Sequence, residues 1–234
     1  MVSEGKFLGD IAPLRDLTPA PVPPPPEKLW HKSNYFFPNQ LNNPDPLPRS
    51  GDPLAKKNTP AQSDGGPEIR PGLNFEGLYD GGVTPPDPTG DIGKNHYVQM
   101  INASSGGSWF QIWDKTGKSV LGPIRTNTIW QQVGSGSIGD PIIQYDHSAQ
   151  RWLMMEMQGG NELLLAVSNN SDPTGAWKAY RIPTLGFPDY PKFYVWNNAY
   201  FITVNEIIGS NVCSGFALDR SAILAGDPNF KVYR

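Results

Sequence analysis

Short apolar runs, separated by polar turns, make up residues 73–234 of the chain. The clearest pair lies within residues 139–157, where two apolar runs flank the polar segment 146–150. Runs of this length, bounded by small polar residues whose side chains bond their own backbone, are typical of β-strands joined by tight turns. The pattern therefore predicts a hairpin with strands at 142–145 and 152–157.

The same pattern continues on both sides of this hairpin. It predicts further strands at 74–79, 97–102, 108–113, 119–124, 163–168, 177–182, 193–196, 200–204 and 213–218. Residues 84–93 are rich in proline and glycine and are interpreted as a loop, and 114–117 and 172–175 as turns. Residues 221–225 lack strand alternation and precede Gly226, which predicts one helical turn. No long helical period occurs, so the predicted fold is all-β.

An aspartate recurs about every 50 residues, at Asp91, Asp140 and Asp189, and each is followed by aromatic and β-branched residues. A four-stranded unit at this interval predicts a β-propeller, complete or partial, with about three to four recognisable blades. Three units are too few to close a propeller without bare sheet edges. We therefore expect either a blade built from poorly matching segments or, preferably, a natural chain that continues beyond Arg234.

The first part of the chain has a different composition. Residues 1–72 hold more than half of the 25 prolines and few β-branched residues. Such a segment buries too little apolar surface to offset the entropy cost of ordering it, which predicts an extended arm or linker at 1–72 ahead of propeller blades at 73–234. Its aromatic residues are expected to dock on the propeller or to bind a partner; they are Trp30, Tyr35, Phe36 and Phe37.

Charge and cysteine content exclude several classes of partner. The net charge is -3 and only 18% of the residues are charged, so no basic surface for nucleic acid or an anionic membrane is expected. No apolar run is long enough to insert into a membrane as a helix. Cys213 is the single cysteine, so an intrachain disulfide is impossible.

The recurring aspartates are the main candidates for chemistry. Asp91, Asp140 and Asp189 at the starts of inner strands would converge around a common axis, and glycoside hydrolysis needs two carboxyl groups about 5 to 10 Å apart. Glu206 is the preferred acid partner and Glu156 the second choice. The structural alternative is that these aspartates bond turn amides.

A cation site is the second candidate. Asp87, Thr89 and Asp91 place oxygen atoms at alternate positions, as calcium loops do, although the distal glutamate of such loops is missing. An ordinary proline-stiffened turn is the preferred interpretation of this segment, and calcium is the one cofactor that the pattern suggests as an alternative.

Three tryptophans are candidates for ligand binding. Trp109, Trp113 and Trp196 are candidates for stacking on sugar rings, while packing between blades is the alternative role for most of the tryptophans. We expect one or two of them to be exposed.

Several ordered motifs carry a resemblance to a known family. These are PPDPTGDIGKNHYVQMIN at 85–102, GDPII at 139–143, YD at 145–146, RW at 151–152, AVS at 166–168, DPTG at 172–175 and FPDYPKF at 187–193. With them the chain resembles a family of large, secreted, mostly uncharacterised bacterial proteins with a predicted propeller. This resemblance implies a propeller fold and an extracellular or cell-surface setting. Family members run on past the point where this chain stops, and no activity is attached to them.

A weaker resemblance is to five-bladed glycoside hydrolases of the arabinanase and sucrose-cleaving type. In these enzymes an aspartate precedes the inner strand of successive blades and faces the central cavity. The resemblance implies that Asp91, Asp140 and Asp189 take these parts, whereas the general-acid glutamate motif has no clear match.

The sequence therefore leaves three functions open. The leading one is an extracellular or cell-surface module that binds glycan or protein, or associates with itself, without chemistry of its own. The first alternative is a glycoside hydrolase-like enzyme that uses the inner-strand carboxylates. The second is a structural subunit that assembles through the arm and open sheet edges.

Overall fold

A computed structural model describes residues 1–21, 73–79, 82–104 and 106–234 of the chain. The first strands are β1 (Val2–Ile11), β2 (Thr89–Ile92), β3 (His96–Asn102), β4 (Ser108–Asp114) and β5 (Ser119–Arg125). The middle elements are α1 (Thr126–Trp130), β6 (Gly139–Asp146), β7 (Arg151–Gln158), β8 (Glu162–Ser168) and β9 (Trp177–Pro183). The last are β10 (Phe187–Val195), β11 (Ala199–Ile207), β12 (Asn211–Asp219), α2 (Arg220–Ala225) and β13 (Asn229–Tyr233).

The strands form three antiparallel units of four consecutive strands. Sheet 1 contains β2 to β5, sheet 2 contains β6 to β9, and sheet 3 contains β10 to β13. Strand β1 lies between β13 and β9 and so joins the outer edges of sheets 2 and 3. Because β6 and β10, at the two ends of this joined sheet, also contact each other, the joined sheet curls back until it is nearly closed.

Sheet 2 lies in the middle of the stack, because strand alternation gives it two apolar faces. One face packs on sheet 1 through residues that include Trp152, Met154, Ala166 and Trp177. The opposite face packs on sheet 3 through residues that include Leu153, Met155, Leu165 and Tyr180. The first strands of the three sheets (β2, β6 and β10) meet on one side of the stack. This is the arrangement of propeller blades, and the fold is all-β and propeller-like.

The structure confirms the predicted hairpin and its turn. Strands β6 and β7 pair from Asp146 with Arg151 to Gly139 with Met157. The Asp146 carboxylate accepts the backbone N–H groups of Ser148 and Ala149, as expected for an aspartate that bonds its own turn.

The predicted helical turn is also confirmed. Helix α2 ends at Gly226, which has a φ of 83° and therefore lies in the left-handed region that favours glycine. Asp219 caps the start of α2 by accepting the N–H of Ala222.

Two strand assignments at the start of sheet 1 are wrong. Residues 74–79 form no strand. The innermost strand of sheet 1 is instead β2, which lies inside the segment interpreted as a proline-glycine loop. A strand of four residues next to prolines is too short to show the two-residue alternation on which the prediction depended.

The predicted arm also needs a correction at its beginning. Residues of β1 pair with two neighbouring strands, so 2–11 belong to the sheet and not to an extended linker. Prolines later in the arm dominated its composition and concealed this strand. The remainder of the arm from residue 22 to residue 72, with Trp30, Tyr35, Phe36 and Phe37, lies outside the described residues. Within the described residues, no helix is long and apolar enough to cross a membrane.

Candidate functional site

A cavity of about 540 Å³ lies where β2, β6 and β10 come together. A volume in this range suits a small ligand or one unit of a larger one. The lining residues come from all three sheets: Asp87, Pro88, Thr89, Gly90, Asp91, Asp140, Pro141, Ile142, Ile143, Gln144, Tyr190, Pro191, Lys192, Phe193 and Tyr194. The cavity is therefore built by the innermost strands and by the residues just before them.

The cavity contains three backbone positions of unusual conformation, one from each sheet. Asp87, Asp140 and Tyr190 have φ values of 40°, 51° and 52°, and each of them precedes a proline. Positive φ is uncommon for residues other than glycine and costs about 1 to 3 kcal/mol, so the surrounding structure must hold each residue in place. Strained backbone positions that cluster around one cavity are typical of a functional site.

Asn102, the last residue of β3, links two of these positions. Its Nδ2 atom lies 2.8 Å from Asp87 Oδ2 and 3.4 Å from Asp140 Oδ1. Its Oδ1 atom accepts the backbone N–H of Asp140 at 2.8 Å. One buried amide thus fixes both carboxylates and holds these two oxygens no more than about 6 Å apart. Gly139 permits this approach, because a Cβ atom there would lie 2.6 Å from Asn102 Oδ1.

The environment of Asp140 favours its protonated form. Burial raises the pKa of Asp140, and the neighbouring charge of Asp87 raises it further. The hydrogen bonds from Asn102 and from the backbone N–H of Tyr190, together with the charge of Lys192, oppose this rise. Asp140 is therefore a carboxyl group with a raised pKa that contacts elements of all three sheets.

Two exposed aromatic residues from β10 also line the cavity. Tyr190 and Tyr194 on β10 are 56% and 55% exposed. The Lys192 ammonium lies 3.3 Å from the centroid of the Tyr190 ring, a cation–π contact that orients both side chains. The lining of the cavity therefore includes two exposed phenol side chains as well as the carboxylates.

The predicted cation ligands are brought together, but most of their oxygen atoms already have partners. Asp91 accepts the backbone N–H groups of Ile92 and Tyr145, and Thr89 Oγ1 accepts that of Ile143. These bonds tie β2 to β6. Asp87 keeps its bond to Asn102. Among the described residues, no group of three or more histidine, cysteine or acidic side chains could hold a metal ion.

Of the three recurring aspartates, Asp91 and Asp140 line the cavity and Asp189 does not. Asp189 lies on β10 opposite Asn205, one residue before the cavity residue Tyr190. The predicted register of the third unit is therefore displaced by one residue. The position equivalent to Asp140 in conformation is Tyr190, so the third sheet contributes a phenol where a carboxylate was expected.

Both candidate glutamates lie away from the cavity. Glu206 is buried and pairs with Arg234, and it also accepts bonds from Ser214 and from the N–H of Leu185. Although burial alone would raise it, these bonds lower the pKa of Glu206 below its usual value. Glu206 is thus an ionised structural group and not an acid that faces the cavity.

Glu156 is also structural. It is fully buried between sheets 1 and 2, where it accepts bonds from Thr126 Oγ1 and Trp130 Nε1. Burial raises the pKa of Glu156.

The three tryptophan candidates differ in how much of each side chain is exposed to solvent. Trp109 and Trp113 are 7% and 4% exposed, so neither ring face is open to a ligand. Both belong to the face of sheet 1 on which Phe75 and Leu78 pack. Trp196, which directly follows β10, is 65% exposed.

Four residues of the site were not predicted from the sequence. They are Asn102, Tyr190, Lys192 and Tyr194. The three dipeptides Asp87-Pro88, Asp140-Pro141 and Tyr190-Pro191, spaced about 50 residues apart, are the feature that could have found the cavity. An alignment on aspartate alone selected Asp91 instead of Asp87 in the first unit and Asp189 instead of Tyr190 in the third.

Comparisons with known proteins show little similarity in sequence or structure. No protein family and no curated protein matches the chain. Among solved structures, the chain is similar to an alpha-L-arabinofuranosidase from Clostridium thermocellum ATCC 27405, with 14% sequence identity and a TM-score of 0.38. The similarity covers 56% of this chain and 45% of that enzyme, so the chain spans less than half of its length.

Proposed function

We propose that the cavity between the three sheets binds a sugar unit of a glycan. The observation that supports this proposal is the carboxylate pair Asp87 and Asp140, fixed by Asn102 beside the exposed rings of Tyr190 and Tyr194. Carboxylates accept hydrogen bonds from sugar hydroxyl groups, and an aromatic ring packs on the apolar face of a sugar ring.

Tyr194 and Asp140 are expected to contribute to binding in different ways. Tyr194 is a strand residue with an exposed ring, so truncation removes contact area while the strand remains paired through its backbone. Asp140 is a member of the network that shapes the cavity, so Asp140→Asn removes an acceptor and preserves the shape of the side chain. The two variants therefore test stacking and hydrogen bonding separately.

Binding to a panel of soluble neutral polysaccharides, measured by affinity electrophoresis and calorimetry, tests the proposal. We expect binding to at least one of them, weakened about tenfold or more by Tyr194→Ala and by Asp140→Asn. Asp189→Asn is the matched control, because Asp189 lies on the same strand as Tyr194 but outside the cavity. Binding that is absent for the whole panel, or equally weakened in the control, contradicts the proposal.

A second function, hydrolysis of the bound glycan, is favoured by one further observation. Asp140 has a raised pKa and lies next to Asp87, and glycosidases use one carboxyl group that stays protonated and one that is ionised. In this function Asp140 donates a proton to the leaving oxygen as the glycosidic bond breaks, and Asp87 accepts a proton from the water that attacks the anomeric carbon.

Release of reducing ends from the bound polysaccharide tests this function. We expect Asp140→Asn and Asp87→Asn each to lower turnover by a hundredfold or more while Asp189→Asn keeps it, in line with the usual loss of an acid–base group, which is about 10² to 10⁴. Turnover should fall as the pH rises through the pKa of Asp140, because the proton donor is then lost. Binding without turnover at any pH would leave glycan binding as the function and exclude hydrolysis.

A further inference from the structure

The cavity of the candidate site extends well beyond its pair of carboxylates. At one end, Asp87 and Asp140 are linked through a single amide, just before β2 and at the start of β6. Further along the same strands, Asp91 accepts the backbone N–H of Tyr145, so β2 and β6 run side by side in the same direction. Gln144 precedes Tyr145 and also lines the cavity. At about 3.3 Å per strand residue, its backbone lies on the order of 10 Å from that of Asp140.

Strand β10 extends along the cavity over a similar distance. The backbone N–H of Tyr190 bonds to the Asp140 carboxylate, and Tyr194, four residues later, still lines the cavity. The Tyr194 side chain is 55% exposed, so its ring is accessible to a ligand. We call Gln144 and Tyr194 the far end of the cavity.

Gln144 is a polar residue at a position where sheet 2 is otherwise apolar. It pairs with Leu153 on β7, and partners in register point to the same side of a sheet. Leu153 belongs to the apolar layer between sheets 2 and 3, and Ile142, two residues before Gln144, packs against the same layer. Packing alone would favour an apolar residue at 144, so the amide indicates a role other than packing.

The amide of Gln144 has unused hydrogen-bonding capacity. Its Oε1 atom is buried and accepts no hydrogen bond from the residues that the structure describes. A buried acceptor without a donor destabilises a folded chain, and a ligand hydroxyl group in the cavity would supply the donor. Asp91, by contrast, already accepts the backbone N–H groups of Ile92 and Tyr145. The Gln144 amide is therefore well suited to recognise a ligand at the far end.

We propose that Gln144 and Tyr194 bind a second sugar unit of the glycan whose first unit contacts Asp87 and Asp140. This inference rests on the proposed glycan binding and extends it from one sugar unit to an oligosaccharide of at least two units. The amide offers an acceptor and two donors to neighbouring hydroxyl groups, and the tyrosine ring packs on the apolar face of the sugar. The oligosaccharide therefore lies along β6 and β10.

The cavity is large enough for such a ligand. Its volume of about 540 Å³ lies within the range of about 300 to 1,000 Å³ typical of pockets that enclose drug-sized molecules, which are as large as a disaccharide.

Calorimetry with oligosaccharides of one to four units, prepared from glucan, xylan and arabinan, tests the inference. In a series that binds, the affinity of the wild-type chain should rise about tenfold or more from one unit to two. Gln144→Met keeps the length of the side chain and removes the amide. It should weaken binding of the two-unit ligand about three- to tenfold and leave binding of the single unit within about twofold of the wild type.

Gln158→Met is the matched control. Gln158 Oε1 is also buried without a donor among the described residues, but Gln158 ends β7 and lies outside the cavity. Its replacement should leave the binding of every oligosaccharide unchanged. Tyr194→Ala is a second variant at an exposed side chain and should show the same selective loss as Gln144→Met. Thermal unfolding of each variant establishes that it is folded.

The outcomes separate this inference from the glycan binding on which it rests. If one unit binds as tightly as two, or if Gln144→Met binds both like the wild type, the inference is overturned, while a loss of binding in Asp140→Asn still supports the glycan site. Equal losses for one unit and for two would assign Gln144 a structural role and also overturn the inference. Failure of every oligosaccharide to bind overturns both.

Discussion

Asp146 connects sheets 2 and 3 at a buried position, and its removal gives the most quantitative test of the fold. At the end of β6 it is fully buried and accepts bonds from its own turn. Across the sheet boundary it accepts the Tyr200 hydroxyl at 2.9 Å and Arg220 Nε at 2.7 Å. Each carboxylate oxygen therefore has at least one donor, and Arg220, with a side chain 13% exposed, has its charge compensated.

The pKa of Asp146 gives the magnitude of this contribution. Burial opposes ionisation, but the hydrogen bonds from Arg220, Ala149, Ser148 and Tyr200 outweigh it and lower the pKa from 3.8 to about 2. A difference of this size between the folded and unfolded chain is worth about 2 kcal/mol. Because the pKa is lowered, this stability is present above pH 4 and is lost as the pH falls towards 2.

Asp146→Asn keeps the shape of the side chain and removes its charge. At neutral pH we expect the free energy of unfolding to fall by about 3 kcal/mol or more, because Arg220 is left with an uncompensated charge in a largely buried place. As the pH falls towards 2, the difference between the variant and the wild type should narrow by about 2 kcal/mol, since the wild-type carboxylate is then also neutral.

Urea unfolding followed by tryptophan fluorescence, at neutral pH and at several acidic values, measures both effects. Asp114→Asn is the matched control, because Asp114 bonds its own turn through Thr116 and Lys118 without a bond to another sheet. A variant as stable as the control at neutral pH, or one with the full acid dependence of the wild type, refutes the reasoning.

Three other substitutions test individual contacts. Glu156→Gln should remove the loss of stability that the wild type shows as the pH rises through the raised pKa of Glu156, measured by urea unfolding across that range. Gly139→Ala should lower stability by about 1 to 3 kcal/mol, since Gly139 has a φ of 127° and its Cβ would meet Asn102. Gly5→Ala on β1 should cost about 1 to 3 kcal/mol in thermal unfolding, because its Cβ would lie 2.1 Å from the Phe230 ring.

Gly215→Ala is the control for both glycine substitutions, because a Cβ at Gly215 meets no atom within 4 Å. Equal effects at Gly5 and Gly215 contradict the packing of β1 against sheet 3. A wild-type chain whose stability does not fall with rising pH contradicts the burial of Glu156.

The sequence predicted the strands that are long and buried on one face or both. Residues 152–157 and 163–168 became β7 and β8 because apolar side chains fill both faces of sheet 2. Strand β2 was missed because its four residues carry one large apolar side chain, and β1 because the prolines after it masked its alternation. Local pattern cannot show that β1 finds its partners more than 160 residues away.

The site was predicted only in part. Asp140 was found because a recurring carboxylate before a strand is visible in the sequence. Asn102 was missed because a single amide at the end of β3 has no local pattern, and its role depends on its approach to Asp87 and Asp140 across sheets. Trp109 and Trp113 stayed candidates for ligand binding beside a packing role, because residue type cannot show which side of a strand faces solvent in a stacked sheet.

The position of β1 has a consequence for synthesis and folding. Strand β1 pairs with β9 and β13, and both of these strands lie more than 160 residues later in the sequence. Closing such a long loop carries a large entropy cost, which slows formation of the pairing. A chain under synthesis therefore carries β1 without its partners until β9 and β13 have both been made, and chaperone binding to β1 should last until then.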